Sequence, residues 1–178
     1  IGAAGIFVTY TSLLVTIVLG ISMGLQPVVG YNYGAGLYHR LRRAYWLAVS
    51  VSTAICVAGS LAGLALPSYI ARAFTYDAFL IDSTVVCLRH ALWAFGVVGF
   101  QVISTTYFQS VGAPARAMVL SLARQVIFLI PLMLILSDSL GVEGVWLSFP
   151  ISDLLATVVT AALIFPSLRK LARKAPLN

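Results

Sequence analysis

Five runs of apolar residues, at about 6 to 31, 44 to 66, 87 to 109, 117 to 136 and 145 to 166, dominate this chain and leave little between them. Each has close to the ~20 residues an α-helix needs to cross a hydrocarbon core. None has the alternating polarity of a membrane-barrel strand. Lipid offers no partner for an open backbone N–H or C=O, so such runs can only be helices. The fold class that follows is all-α, a polytopic transmembrane helical bundle of about five spans, here called A to E. With 61% hydrophobic and 9% charged residues, against ~25% charged in a soluble domain, the chain belongs in a bilayer. The mean hydropathy of +1.01 agrees.

The connectors give the orientation, because basic residues stay on the cytoplasmic side. Arg40, Arg42 and Arg43 follow A; Arg116 lies between C and D, with Arg124 one to two turns beyond; Arg169, Lys170, Arg173 and Lys174 follow E. The opposite connectors hold Arg72 and Arg89 with Asp77, Asp82, Asp138 and Glu143. This places the first residue outside and the C-terminus in the cytoplasm, and it accounts for the net charge of +6 without a nucleic-acid partner. The connector 67 to 84 mixes apolar and charged residues and reads as an amphipathic segment along the outer surface. The tail after Pro166 is short and basic, suited to anionic lipid head groups. Trp93 and Trp146 fall near the outer boundary and Trp46 near the inner one, as aromatic belts do. Cys56 and Cys87 lie in apolar context and read as free buried thiols. The chain opens on Ile1, is apolar at once and has no basic n-region, so it reads as a fragment whose upstream part is missing.

Ionisable groups at bilayer depth are costly, ~2.5 to 3.5 kcal/mol near a helix centre. Asp153 lies about eight residues into E, ~12 Å along its axis at 1.5 Å per residue. Its same-face neighbours are Trp146, Phe149, Thr157 and Thr160. It has two readings, a structural group bonded to a neighbouring helix or to a snorkelling arginine, and a proton or cation site. Span C carries a second stripe of His90, Gln101, Thr105 and Phe108, with Ser104 and Gln109 beside it, which can bind helices together or line a cavity. Pro27 and Pro131 each deny a hydrogen bond one turn back and should kink their helices; Pro150 falls near the start of E. The pairs Gly20/Gly24, Gly30/Gly34 and Gly59/Gly63 permit close helix approach. In QPVVGYNYGAG, residues 26 to 36, the proline and glycines suggest a hinge. Tyr31 and Asn32 would bond to backbone left free by the break, and Gly34 would allow tight packing. No paired acids, metal cluster, phosphate loop or nucleophile with its base appears, so nothing points to an enzyme or to a cofactor.

The segments GLQPVVGYNYGAGLYHRLRRA, YFQSVGAPARAM, RQVIFLIPLMLIL and GVEGVWLSFPISDLLATVVTAAL, taken in order, resemble the second half of the multidrug and toxic compound extrusion (MATE) family. The resemblance implies that A to E are the eighth to twelfth helices of a twelve-helix transporter with two six-helix lobes. It further implies alternating access around a central cavity in the plasma membrane, and export of small organic, cationic compounds by antiport against protons or sodium ions. The partner is then the N-terminal lobe of the same transporter. Family acids in the first and seventh helices lie outside this chain and span C has none, so the coupling ion is undetermined. On this reading Gln101, Thr105 and Asp153 form the polar cavity wall, with Tyr107 and Gln109 near its cytoplasmic end, and Asp153 is the candidate for ion coupling. Pro27, Tyr31, Asn32, Gly34 and Pro131 form the hinge or gate. Two alternatives stand beside it. A lipid-linked oligosaccharide flippase would need more basic residues than Arg124, whose simplest role is to snorkel. A non-transporting membrane subunit would need no second lobe.

Overall fold

The computed structural model describes residues 2–174, Lys174 by its backbone alone; Ile1 and the last four residues of the basic tail lie outside the described residues. All regular structure among them is helical. The order is α1 (Gly2–Gly34), α2 (Tyr38–Ala65), α3 (Pro67–Phe74), α4 (Ala78–Ala91), a 3-10 turn (Phe95–Val97), α5 (Val98–Ser110), α6 (Pro114–Leu122), a π-helical segment (Ala123–Leu129), α7 (Ile130–Leu140) and α8 (Val142–Lys174). Four stretches are long and apolar enough to cross a membrane: α1, α2, α6 through α7, and α8. The pair Ala78–Ala91 and Phe95–Ser110, bent by 60°, is long and apolar enough for a fifth only when its two halves are taken together.

That bend corrects the third span, which the sequence places at 87 to 109 as one helix. The break falls at 92 to 94, and no proline causes it. The Leu92 carbonyl accepts from the Phe95 N–H at 3.0 Å, and Ser60 on α2 donates its hydroxyl to the same oxygen at 2.5 Å, tying the bend to α2. Gly96 and Gly99 then let the chain close on α2: a Cβ on Gly96 would lie 2.8 Å from Val57 Cγ2. The connector 67 to 84 is corrected with it. Its first half is the short α3, with Arg72 exposed, as an amphipathic surface segment should be. Its second half is already α4, capped by Asp77, whose Oδ1 accepts from the Phe79 N–H at 2.9 Å. His90 ends on the far side of the bend, with Nδ1 2.8 Å from the Val86 carbonyl. It therefore does not share a stripe with Gln101. Span E also runs further than 145 to 166, so Pro150 and Pro166 both lie inside α8 rather than at its start or end.

The C-terminal ends of α1 and α5 are built alike. Gly36 (φ +72°) ends α1, with Leu37 N–H donating to the Asn32 carbonyl (2.9 Å) and Gly36 N–H to that of Tyr33 (3.2 Å). Gly112 (φ +75°) ends α5 with the same pair of bonds, Ala113 to Phe108 and Gly112 to Gln109. This left-handed stop satisfies the last helical carbonyls without a side chain. It sets Arg40 to Arg43 and Arg116 just beyond the apolar run. Asn32 donates through Nδ2 to Val28 at 2.7 Å, not to the Met23 carbonyl that Pro27 frees, and Tyr31 is exposed.

Two cores hold the spans together. One gathers Leu25, Val29, Leu41, Tyr45, Ile103, Tyr107, Phe108 and Ile164. The other gathers Phe7, Val18, Leu88, Leu92, Phe95 and Val98 with both cysteines, which are free and buried. Burying each such side chain contributes about 1.5 to 3 kcal/mol relative to exposure in water; in lipid the gain comes from close packing instead. Of the glycine pairs, Gly59 and Gly63 are used. A Cβ on Gly59 would meet the Leu14 side chain and one on Gly63 that of Leu92, whereas Gly20, Gly24 and Gly34 face open space. The close approach also lets the Tyr10 hydroxyl reach the Gly59 carbonyl at 2.7 Å.

Candidate functional site

Polar side chains meet between the spans at bilayer depth. Ser22 on α1 and Thr106 on α5 share a hydrogen bond of 2.6 Å, and Tyr45 on α2 reaches Ser104 on α5 at 2.8 Å. Gln101 on α5 donates through Nε2 to two partners on α8, the Asp153 carbonyl oxygen at 2.6 Å and Thr157 Oγ1 at 2.8 Å. Its Oε1 is buried with no partner among the described residues. These bonds tie α5 to α1, α2 and α8, as hydroxyls and amides do inside membranes.

Beside them lies the one ion pair among the described residues, Arg124 Nε to Asp153 Oδ1 at 2.7 Å. Arg124 therefore does not snorkel to the interface: the carboxylate on the neighbouring span holds it inside. The Asp153 side chain is 7% exposed and that of Arg124 36%. Arg124 is carried by the π-helical segment, where the Ile130 N–H bonds five residues back to the Gln125 carbonyl. The segment sits just ahead of Pro131, whose ring cannot donate to the carbonyl of Ile127. A widened turn absorbs that missing bond without ending the span.

Three cavities surround the pair. One of about 310 Å³ is lined by Ser22, Gln26, Gln101, Thr105, Gln109 and Arg124. A second, of about 340 Å³, is lined by Phe7, Phe95 and Phe149 with Thr11, Asp153 and Arg124. A third, of about 160 Å³, lies over Gln125, Leu129 and Ser152 with the same two charges. Gln101, Thr105 and Gln109 are thus together, with Asp153 next door and Arg124 common to all. Tyr107 is elsewhere. It lines a separate cavity of about 510 Å³ with Tyr33, Arg116 and Lys170, its hydroxyl 3.1 Å from that of Ser167. Phe108 of the expected stripe is fully buried in the core, beneath the Arg116 guanidinium at 5.8 Å. Sequence reasoning missed Gln26 and Ser22, and it offered an arginine as a partner for Asp153 without identifying Arg124. A lone base and a lone acid inside neighbouring spans was the available signal, since such charges pair. Among the described residues no cluster of His, Cys, Asp and Glu could hold a metal ion.

The model of a family described as MatE matches residues 1–135. A curated relative, the FAD transporter of Shewanella oneidensis, is 27% identical over 158 residues, which are 87% of this chain and 34% of that protein. The chain thus spans about a third of the length of the curated relative it matches. Among solved structures, a ligand complex of the MATE multidrug transporter DinF-BH is 36% identical, with a TM-score of 0.82 over 88% of this chain and 35% of its own. An inward-facing multidrug resistance MATE family transporter of the MOP superfamily superposes at a TM-score of 0.85, covering 94% of this chain and 39% of its own; at 21% identity it supports the fold alone.

Proposed function

Because the chain belongs to the MatE family, we propose that it is the second-lobe portion of a transporter that exports small organic, cationic compounds by antiport against protons or sodium ions. The observation that carries this reading is the Arg124–Asp153 pair set among cavities in an otherwise apolar bundle. A bundle that only anchors has no use for a buried carboxylate bordered by open space. The 310 Å³ cavity, walled by Gln101, Thr105 and Gln109, is this lobe's share of the substrate path. The upstream lobe closes it from the other side, and the two rock about it to give alternating access. A cation beside Asp153 also gains from the faces of Phe7, Phe95 and Phe149.

Asp153 is the coupling group in this proposal, because a proton, a sodium ion and an organic cation all compete for one carboxylate. Orientation follows the basic residues: Arg40 to Arg43, Arg116 and Arg169 to Arg173 face the cytoplasm across the plasma membrane. In cells expressing the full-length transporter, Asp153→Asn is expected to abolish the pH or sodium dependence of fluorescent-dye efflux and to slow efflux at least tenfold. Efflux and ion dependence both left intact would remove Asp153 from coupling.

The hinge is Pro27 through Gly34 on α1 and Pro131 on the sixth-to-seventh helix span, where the helical ladder is already missing bonds. Pro27→Ala and Gly34→Leu are expected to lower turnover several-fold with little loss of stability, since Gly34 faces open space. Unchanged turnover in both variants would rule out the hinge.

A further inference from the structure

We propose that Arg124 is a tethered competitor for the cation site: in the unloaded protein its guanidinium occupies Asp153, and an arriving organic cation must displace it. The inference rests on Asp153 being the cation-binding group, and it assigns to Arg124 a role in setting affinity.

The geometry of the pair is that of a displaceable contact. An arginine and a carboxylate joined for stability commonly meet through two parallel bonds of the guanidinium fork. Here Nε makes the contact to Asp153 Oδ1, and the terminal nitrogens donate to no described residue. The acid is nearly enclosed while the base is about one-third open. So the arginine, not the aspartate, is the partner free to leave.

It also has somewhere to go. Arg124 borders every cavity around the site, whereas Asp153 borders the aromatic one but not the amide-lined one. The amide-lined cavity is bordered by the side-chain amides of Gln26, Gln101, Gln109 and Gln125, and the buried Oε1 of Gln101 has no partner among the described residues. These acceptors suit a guanidinium, whose five donors need oxygens wherever it rests. The vacated side keeps Asp153 in one cavity wall with Phe7, Phe95 and Phe149, a carboxylate among aromatic rings, which suits an organic cation. The two cavities therefore divide the work: the amide side receives the arginine and the aromatic side receives the cation.

The carrier of Arg124 is the element best able to move it. It lies on the π-helical segment Ala123–Leu129, whose ladder is already irregular. Passing the extra residue of a π turn along the helix re-aims the side chains it carries without unfolding the span.

The test uses the purified full-length transporter and two dyes on one ring system, cationic rhodamine 6G and anionic fluorescein, with binding read by fluorescence polarisation. Arg124→Gln is expected to tighten rhodamine 6G at least tenfold and to leave fluorescein no tighter. Arg124→Lys, which keeps the charge but not the fork, is expected to tighten it less, and it keeps the test open should the glutamine variant fail to fold. Combining Arg124→Gln with Asp153→Asn should erase the gain. Rhodamine 6G bound equally or more weakly by both single variants overturns the proposal while leaving export intact. Preference of the parent for fluorescein, lost in Arg124→Gln, overturns it in favour of anion recognition by Arg124. Failure of rhodamine 6G to bind any form, or to be moved by cells, overturns the export reading and this inference with it.

Discussion

Arg124→Ala is expected to lower the unfolding free energy by about 3 kcal/mol, the low end of what breaking a buried ion pair costs. The low end applies because the Arg124 side chain is 36% exposed and its loss gives up less desolvated contact than that of a buried arginine. The cost arises on the other side. Asp153, 7% exposed, would keep a charge in an apolar bundle with no other described base to meet it. Removing both charges should therefore be milder than removing one, so Arg124→Ala combined with Asp153→Asn is expected to recover most of the loss. Thermal unfolding of the purified full-length protein decides this. A double variant as unstable as the single would mean that the damage comes from lost packing of the arginine stem and not from an orphaned charge. Rhodamine 6G should stabilise Arg124→Ala more than the parent, since a bound cation restores the missing partner.

Gly99→Ala is expected to cost about 3 kcal/mol or more and to abolish transport, although it adds one methyl group. A Cβ there would lie 2.6 Å from the Ser52 carbonyl carbon and 2.7 Å from both the Ser52 oxygen and the Thr53 nitrogen. These are backbone atoms of α2 and cannot rotate away, so α5 must shift, and overpacking of this kind costs ~1 to 3 kcal/mol even where side chains can give. The shift also loosens Gln101, two residues on, from its 2.6 Å and 2.8 Å bonds to α8. Gly24→Ala is the control. Nothing lies within 4 Å of a Cβ there, and replacing glycine by alanine inside a helix stabilises by ~0.5 to 1 kcal/mol. If the two variants unfold at the same temperature, the close α2–α5 approach does not hold the lobe together.

The contrast between these glycines shows what a reader of the sequence could and could not see. Gly20/Gly24 and Gly59/Gly63 have the same spacing, yet the first pair faces open space and the second is pressed by Leu14 and Leu92. Spacing fixes which residues share a helix face, not what that face meets. The bend in the third span follows the same logic. Its local sequence has no proline at the break, and part of what holds the Leu92 carbonyl there is Ser60, 32 residues earlier.

The sequence alone determined that the chain is helical, which apolar runs build the long spans and which ends of those runs are basic. Each rests on contacts within a few residues or on the bilayer itself, and a run of ~20 apolar residues has no other stable form in lipid. It also showed that Asp153 and Gln101 lie at bilayer depth, since depth is counted along one helix. Tertiary structure decided the rest: that Arg124 turns inward to Asp153 instead of snorkelling, that Gln101 bonds across to α8 and that Tyr107 lies apart beside Arg116 and Lys170. These depend on how each helix is rotated about its axis against neighbours 29 to 60 residues away. That rotation is fixed by packing between spans, which no local pattern records.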